Sequence, residues 1–318
     1  MIYSALFALA LLFAYPDKNT ATAWTAGWSH DDKYVAVGND QGELAIYETT
    51  HWKKVRSWKY KQTTITRLEW NPKQPILAIA GLSHSAEDTL VQLFDLTKME
   101  TMTTLPRSLF GRALSWSPDG EKIAYVGNQG SISIFSKKGD HLKTLSFRNP
   151  RSLMDIDWHP HKNILVAVEE DIFLIDIDKD SLLATYDDGW KSKGILSTQW
   201  HPDGQFFVTG DYGHESEGKP SYIQYWALDG RRISQVKEGK AEYRNIRWSA
   251  DGRYLAAATD GLLVLDKKAN VIKKHKLGTE NIWGVAWNKK GDRIISSDQG
   301  GYVRITDMEG KILHAFQQ

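Results

Sequence analysis

The chain contains no cysteine. Disulfides are therefore excluded, and so is a lipid-modified cysteine near the amino terminus; an oxidising compartment is compatible with this but not required. Net charge is almost absent as well. Forty Lys and Arg stand against thirty-nine Asp and Glu over 318 residues, so no whole-molecule field exists to recruit nucleic acid or a charged membrane. No segment carries a helical period, no linker or low-complexity tract interrupts the chain, and no nucleophile elbow, phosphate loop, zinc signature or dinucleotide fingerprint occurs in the context it needs. No reaction and no cofactor can be read from the sequence.

What the chain has in abundance is a repeated tryptophan. Trp28, Trp70, Trp116, Trp158, Trp200, Trp248 and Trp287 are separated by 42, 46, 42, 42, 48 and 39 residues. A period near 40–45 residues is that of one four-stranded propeller blade. The third unit is the cleanest. Ala113-Leu114-Ser115-Trp116 reads as a short strand. Ser117-Pro118-Asp119-Gly120 reads as a type I turn, with a hydroxyl first, a preset φ second and glycine last. Ile123 to Val126 is a buried strand, Asn128-Gln129-Gly130 a hairpin turn, Ser131 to Phe135 a third strand, and His141 to Leu145 a fourth, more polar one. The other units repeat this grammar, with Ser, Asn or His after the tryptophan. The fold expected is an all-β, single seven-bladed β-propeller of four-stranded antiparallel blades over residues 21–318, its ring closed without donating a strand across the join.

This pattern resembles the WD-repeat family, and its Trp-Ser-Pro-Asp-Gly core is similar to the repeats of TolB-type propellers. The Trp-Asp pair that names WD repeats is absent from the third-strand ends; Tyr225-Trp226 is followed by Ala227. The Gly-His dipeptide is missing too. What the resemblance implies is a non-enzymatic interaction scaffold for a protein or peptide partner. The rival is an extracytoplasmic enzyme, or a small-ligand or metal binder, using the mouth of the central channel.

Residues 1–14 are apolar and uncharged, and Pro16 and Asp17 follow. This resembles a secretory signal peptide with a cleavage point near Ala14, too short for a spanning helix. The expectation is a periplasmic or secreted protein with no integral membrane span, cytoplasmic location being the alternative.

Departures from the repeat mark the candidate site, because function sits on loops held by a rigid scaffold. Two insertions fall between second and third strands, Gly81 to Thr89 and Gly210 to Pro220, carrying His84 and His214 among several carboxylates. Neither has metal-ligand spacing, and no metal is expected. Four residues before the repeat tryptophan, where first strands begin at the channel rim, stand Trp24, Arg112, Arg244 and Trp283. Trp and Arg are enriched at binding hot spots, so these four and the two histidines form the candidate binding set. One residue before each tryptophan lie Gly27, Glu69, Ser115, Asp157, Gln199, Arg247 and Ala286; polar residues there should bond between blades. The clip His159-Pro160-His161 is read as a turn rather than a metal site.

Overall fold

The computed structural model describes residues 20–83, 90–106, 113–126, 130–146, 153–187, 194–214 and 217–318. Twenty-eight strands form seven separate four-stranded sheets, each built from four consecutive strands paired in chain order, all antiparallel. No α-helix occurs among the described residues. The expected all-β, seven-bladed propeller is the fold.

Blade three shows how the sequence produces it. Leu114–Trp116, Lys122–Val126, Ile132–Ser136 and His141–Leu145 lie side by side from the channel outward. The apolar run of the second strand is covered on both faces, as a blade between two neighbours must be. The fourth strand is exposed at alternate positions and more. The core is accordingly not inside blades but between them: Ala78, Val91 and Leu93 of blade two share one apolar cluster with Leu114, Trp116 and Tyr125 of blade three. A single blade would leave both faces wet, so the seven stabilise one another.

The turns after the tryptophans lock this stacking. Where the turn begins with serine, the hydroxyl serves its own turn: Ser117 Oγ donates to Asp119 Oδ1 (2.6 Å) and accepts from the Lys122 N–H (2.9 Å). Where it begins with Asn or His, the side chain crosses to the next blade. Asn71 Nδ2 donates to the Gly120 carbonyl (2.7 Å), and the Nε2 atoms of His159 and His201 meet the carbonyls of Gly204 (3.1 Å) and Gly252 (2.8 Å). His159 Nδ1 accepts from the His161 N–H at 3.0 Å, which leaves Nε2 as the donor. The His159-Pro160-His161 clip is thus a turn that doubles as a fastener. Gly120, Gly204 and Gly252 hold φ near +70°, and a Cβ on Gly204 would stand 2.6 Å from His159 Cε1. Glycine is required there by conformation and by approach.

In six of the seven blades the residue before the tryptophan bonds the next blade in one of two ways. Ser115 Oγ, Asp157 Oδ2 and Gln199 Oε1 accept from the backbone N–H of Trp158 (3.0 Å), Trp200 (2.8 Å) and Trp248 (2.6 Å). Behind Gly27, Glu69 and Arg247, the next indole donates to the backbone carbonyl instead, from Trp70, Trp116 and Trp287 at 2.9–3.0 Å. Trp28 follows Ala286 across the ring join and its indole N–H has no such bond; its ring packs edge-on against Trp52 (6.0 Å).

The join itself is made of side chains. Asp32 of blade one accepts from Asn288 Nδ2 (3.3 Å) and the Lys289 N–H (2.6 Å) of blade seven. Trp52 stacks on His314 (4.7 Å, 12°) and Tyr47 on Phe316 (4.3 Å). Among the described residues, blade seven is formed by Ile282–Trp287, Arg293–Asp298, Tyr302–Asp307 and Ile312–Gln317, without a strand from elsewhere. The leader read from residues 1–14 lies outside the described residues.

Candidate functional site

First strands deliver their opening residues to one end of the central channel. Trp24 enters with Ala23–Trp28, Thr66 with Thr63–Trp70, Arg244 immediately before Asn245–Trp248, and Trp283 with Ile282–Trp287. Three of the six candidate residues therefore meet. The Trp24 and Trp283 rings sit edge to face with centroids 4.3 Å apart. The Arg244 guanidinium lies 3.8 Å above the Trp283 ring and pairs with Glu242. Such a contact stabilises by about 0.5–2 kcal/mol, more as water is excluded. Trp283 is only 5% exposed; Trp24 and Arg244 are half-buried and form the part that solvent reaches. Thr25, Thr66, Arg67 and Asn245 complete a cavity of about 20 Å³ beneath them, room for roughly one water.

Below the mouth the channel is bridged by charge. Arg67 of blade two pairs with Asp155 of blade four. Glu69, two residues on, pairs with Arg247 of blade six and lies 3.8 Å from Arg67. With the Asn245 amide turned so that Nδ2 donates to the Val285 carbonyl (3.0 Å), its Oδ1 accepts from Arg67 Nη1 at 3.0 Å. Asp155 also accepts from the Thr198 N–H (3.0 Å). Arg67 loses solvation by burial, but Asp155, Glu69 and Asp157 more than offset this and raise its pKa above the ordinary arginine value. Asp157 is the opposite case. Burial pushes its carboxyl up to about 7, against the Trp200 N–H and Arg247, with Glu69 and Asp155 adding like-charge repulsion. Three carboxylates face two guanidiniums here, so the Asp157 carboxyl has no guanidinium of its own to offset its burial.

The sequence predicts the interblade role of Asp157, and its bond to the Trp200 N–H fulfils it. The cross-channel ion pairs were not anticipated; their signal is opposite charge at equal positions of different blades, Arg67 and Asp155 three residues before the tryptophan and Glu69 and Arg247 one before it.

The remaining candidates are Arg112, His84 and His214. His84 and Arg112 lie outside the described residues. His214 is placed in a small hairpin of blade five, bridged to Lys219, its Nε2 3.2 Å from Glu217 Oε1; it does not line the mouth cavity. Both insertions begin later than the sequence suggested, because second strands Ile76–Ser83 and Phe206–Asp211 extend into them. The Asp211 carboxylate then closes the blade-five hairpin by accepting from the N–H groups of Gly213 (2.8 Å) and Tyr222 (2.9 Å). Among the described residues, no group of three or more His, Asp or Glu is placed to hold a metal ion, and no helix is long and apolar enough to cross a membrane.

Comparison with known proteins now bears on this geometry. The family model for the WD40 domain of anaphase-promoting complex subunit 4 matches residues 7–73, and that for the WD domain, G-beta repeat, matches 180–215 and 267–307. These matches support a WD-repeat β-propeller. The chain is 23% identical to the WD repeat-containing protein slp1 of Schizosaccharomyces pombe over 77% of its length and 49% of the relative's. It is 24% identical to the anaphase-promoting complex subunit cdc20 of Dictyostelium discoideum over 44% of this chain and 28% of the relative. Identity to actin-related protein 2/3 complex subunit 1 of Schizosaccharomyces pombe is 21%, covering 70% of this chain and 64% of that one. The chain thus spans about half or less of the first relatives it matches.

These relatives correct one expectation. Cell-cycle switch proteins and subunits of the anaphase-promoting complex are intracellular, which points to a cytoplasmic or nuclear setting and away from a periplasmic or secreted protein. An uncharged apolar stretch near the amino terminus satisfied the leader pattern, yet the WD40 match starts at residue 7, inside that stretch. The relatives that carry WD repeats act in protein complexes, which fits a protein-interaction scaffold.

Proposed function

We propose that this propeller is a non-enzymatic scaffold that captures a protein or peptide at the channel mouth formed by Trp24, Arg244 and Trp283. The observation that carries the reading is the stack itself. A half-buried tryptophan and a half-buried arginine rest on a buried tryptophan at the centre of one rim, where a partner would meet rigid, partly desolvated aromatic surface. Arg112 and the His84 and His214 loops belong to the proposed surface as its outer contacts. Likeness to TolB-type repeats rests on the shared Trp-Ser-Pro-Asp-Gly core alone.

The rival, a small-ligand or metal site in the channel, is disfavoured by volume and charge. The mouth cavity of about 20 Å³ is far smaller than a small-molecule pocket, and below it Arg67 and Arg247 already pair with Asp155 and Glu69.

The test replaces the solvent-facing pair. Trp24→Ala/Arg244→Ala should leave cooperative unfolding in place while abolishing capture of partners identified by pull-down from the native host. Trp283 is the poorer choice, because truncating a buried aromatic costs about 3–5 kcal/mol by itself. Capture undiminished in the double variant, with the fold intact, would remove the mouth from the interface.

A further inference from the structure

The fourth strand of each blade ends its sheet, so its outer edge is unpaired among the described residues. All seven carry the same bulge near their start, and the residue skipped by the ladder is an exposed large apolar side chain: Val55, Met102, Leu142, Leu183, Ile233, Ile272 or Leu313. A bulge of this kind twists an edge away from unwanted pairing. Against that common protection, blade one stands out by charge.

Its outer strand, Lys54–Lys59, lies in a stretch with no acidic residue between Glu48 and Glu69. Lys53, Lys54, Arg56, Lys59 and Lys61 are all exposed. Of these five only Lys54 reaches a carboxylate among the described residues, Glu43 at 3.6 Å. Blade six has a similarly basic outer strand, Val271–His275, but its cations are engaged. Lys273 meets Glu309 (2.5 Å), and Lys274 and the adjacent Lys276 donate to the carbonyls of Glu238 (2.6 Å) and Asp260 (2.9 Å).

The blade-one cations are also held in place. Arg56 stacks over Trp58 (5.5 Å), whose ring meets Phe94 of blade two edge-on (4.6 Å). Lys54 lies over Tyr47 (5.7 Å), which packs on Phe316 of blade seven. Strand alternation thus presents positive charge on both faces of one open edge.

We propose that this edge takes an acidic, extended segment of another protein as a fifth strand. Main-chain bonds would supply the pairing, and carboxylates on both faces of the incoming strand would meet Arg56 on one side and Lys54 and Lys59 on the other. The shape disfavours other polyanions. Single-stranded nucleic acid needs open rings for its bases, but Trp58 is enclosed by Arg56 and Phe94, and Trp52 by Trp28 and His314. A membrane needs apolar insertion besides charge, and Val55, 38% exposed, is the one large apolar side chain exposed on this strand.

The experiment uses the full chain and a fluorescein-labelled peptide of about eight residues, alternating Glu and Val with Asp ends, matched to a strand's length. Anisotropy should rise saturably and fall with added salt. Arg56→Glu/Lys59→Glu should weaken binding about tenfold or more, whereas Lys267→Glu/Lys268→Glu in blade six should not change it. A peptide N-methylated at alternate amides should not bind. Arg56, Lys59, Lys267 and Lys268 are exposed, and an unchanged thermal midpoint verifies the fold. No saturable binding, equal binding of the N-methylated peptide, or an indifferent blade-one variant overturns the proposal. So does duplex DNA or a phosphatidylserine vesicle binding more tightly through the same residues. Trp24→Ala/Arg244→Ala should bind the peptide normally, so the two surfaces fail or stand separately.

Discussion

The turn rim and the channel are built on the same first strands, yet they are stabilised on different principles. At the turn rim one local solution is repeated with small variations: a serine that closes its own turn, or an Asn or His that reaches the next glycine carbonyl. No turn depends on residues beyond its neighbour. In the channel nothing repeats. Arg67 binds Asp155 and Glu69 binds Arg247 across the ring, joining three blades, with Asp157 beside them. Repetition gives redundancy, whereas a unique buried charge cluster makes each member depend on the others.

The largest effect should come from breaking the cluster at its most buried link. Asp155→Ala leaves Arg67, 5% exposed, without its partner, and should cost about 3–5 kcal/mol in urea unfolding. Replacing both partners by apolar residues, as in Arg67→Met/Asp155→Leu, should recover most of that loss. If the single variant is nearly neutral, the channel is wetter than described and the contrast with the rim weakens.

A turn can be broken at its glycine. Gly204→Ala must hold φ near +72° and place a Cβ against His159; a loss of about 2 kcal/mol is expected from strain and the displaced fastener together. The effect should stay within blades four and five, seen as local loss of hydrogen-exchange protection. Loss of protection around the whole ring would contradict the redundancy assigned to this rim.

The smallest effect sharpens the electrostatic side. The native Asp157 carboxyl, raised to about 7 by burial, keeps its proton where an unfolded aspartate, near 3.8, has lost it. It therefore contributes stability that is present at low pH and is lost as pH rises toward and through 7. Asp157→Asn, which mimics the protonated form, should flatten that part of the stability–pH curve, so that the variant gains on the parent as pH rises from about 4 to above 7. Parallel curves for variant and parent would show that the carboxyl titrates normally.

Fold and site were legible to different depths. The blades could be read because each needs only local information: an apolar run, a Ser-Pro-Asp-Gly turn, a glycine where φ is positive. The Trp24, Trp283 and Arg244 positions could be read because the repeat gives each residue an address, and equal addresses in different blades fall on one rim. The ion pair between Glu69 and Arg247 joins residues 178 apart in sequence, and its partners hold equivalent positions in blades two and six, which no repeat alignment pairs. The location expected from residues 1–14 is contradicted by the relatives, because an apolar composition does not by itself decide the compartment.

The sequence by itself determined the number of blades, their strand order and the turns that fasten neighbours, because these follow from contacts within one repeat or between adjacent ones. Tertiary structure decided what the channel contains, which indole bonds a carbonyl and which backbone is bonded by a side chain, and that, among the described residues, blade one alone of the two basic outer strands keeps its cations free of carboxylates and carbonyls apart from Lys54. Those outcomes depend on the distance and charge of groups brought together by ring closure, which no single repeat encodes.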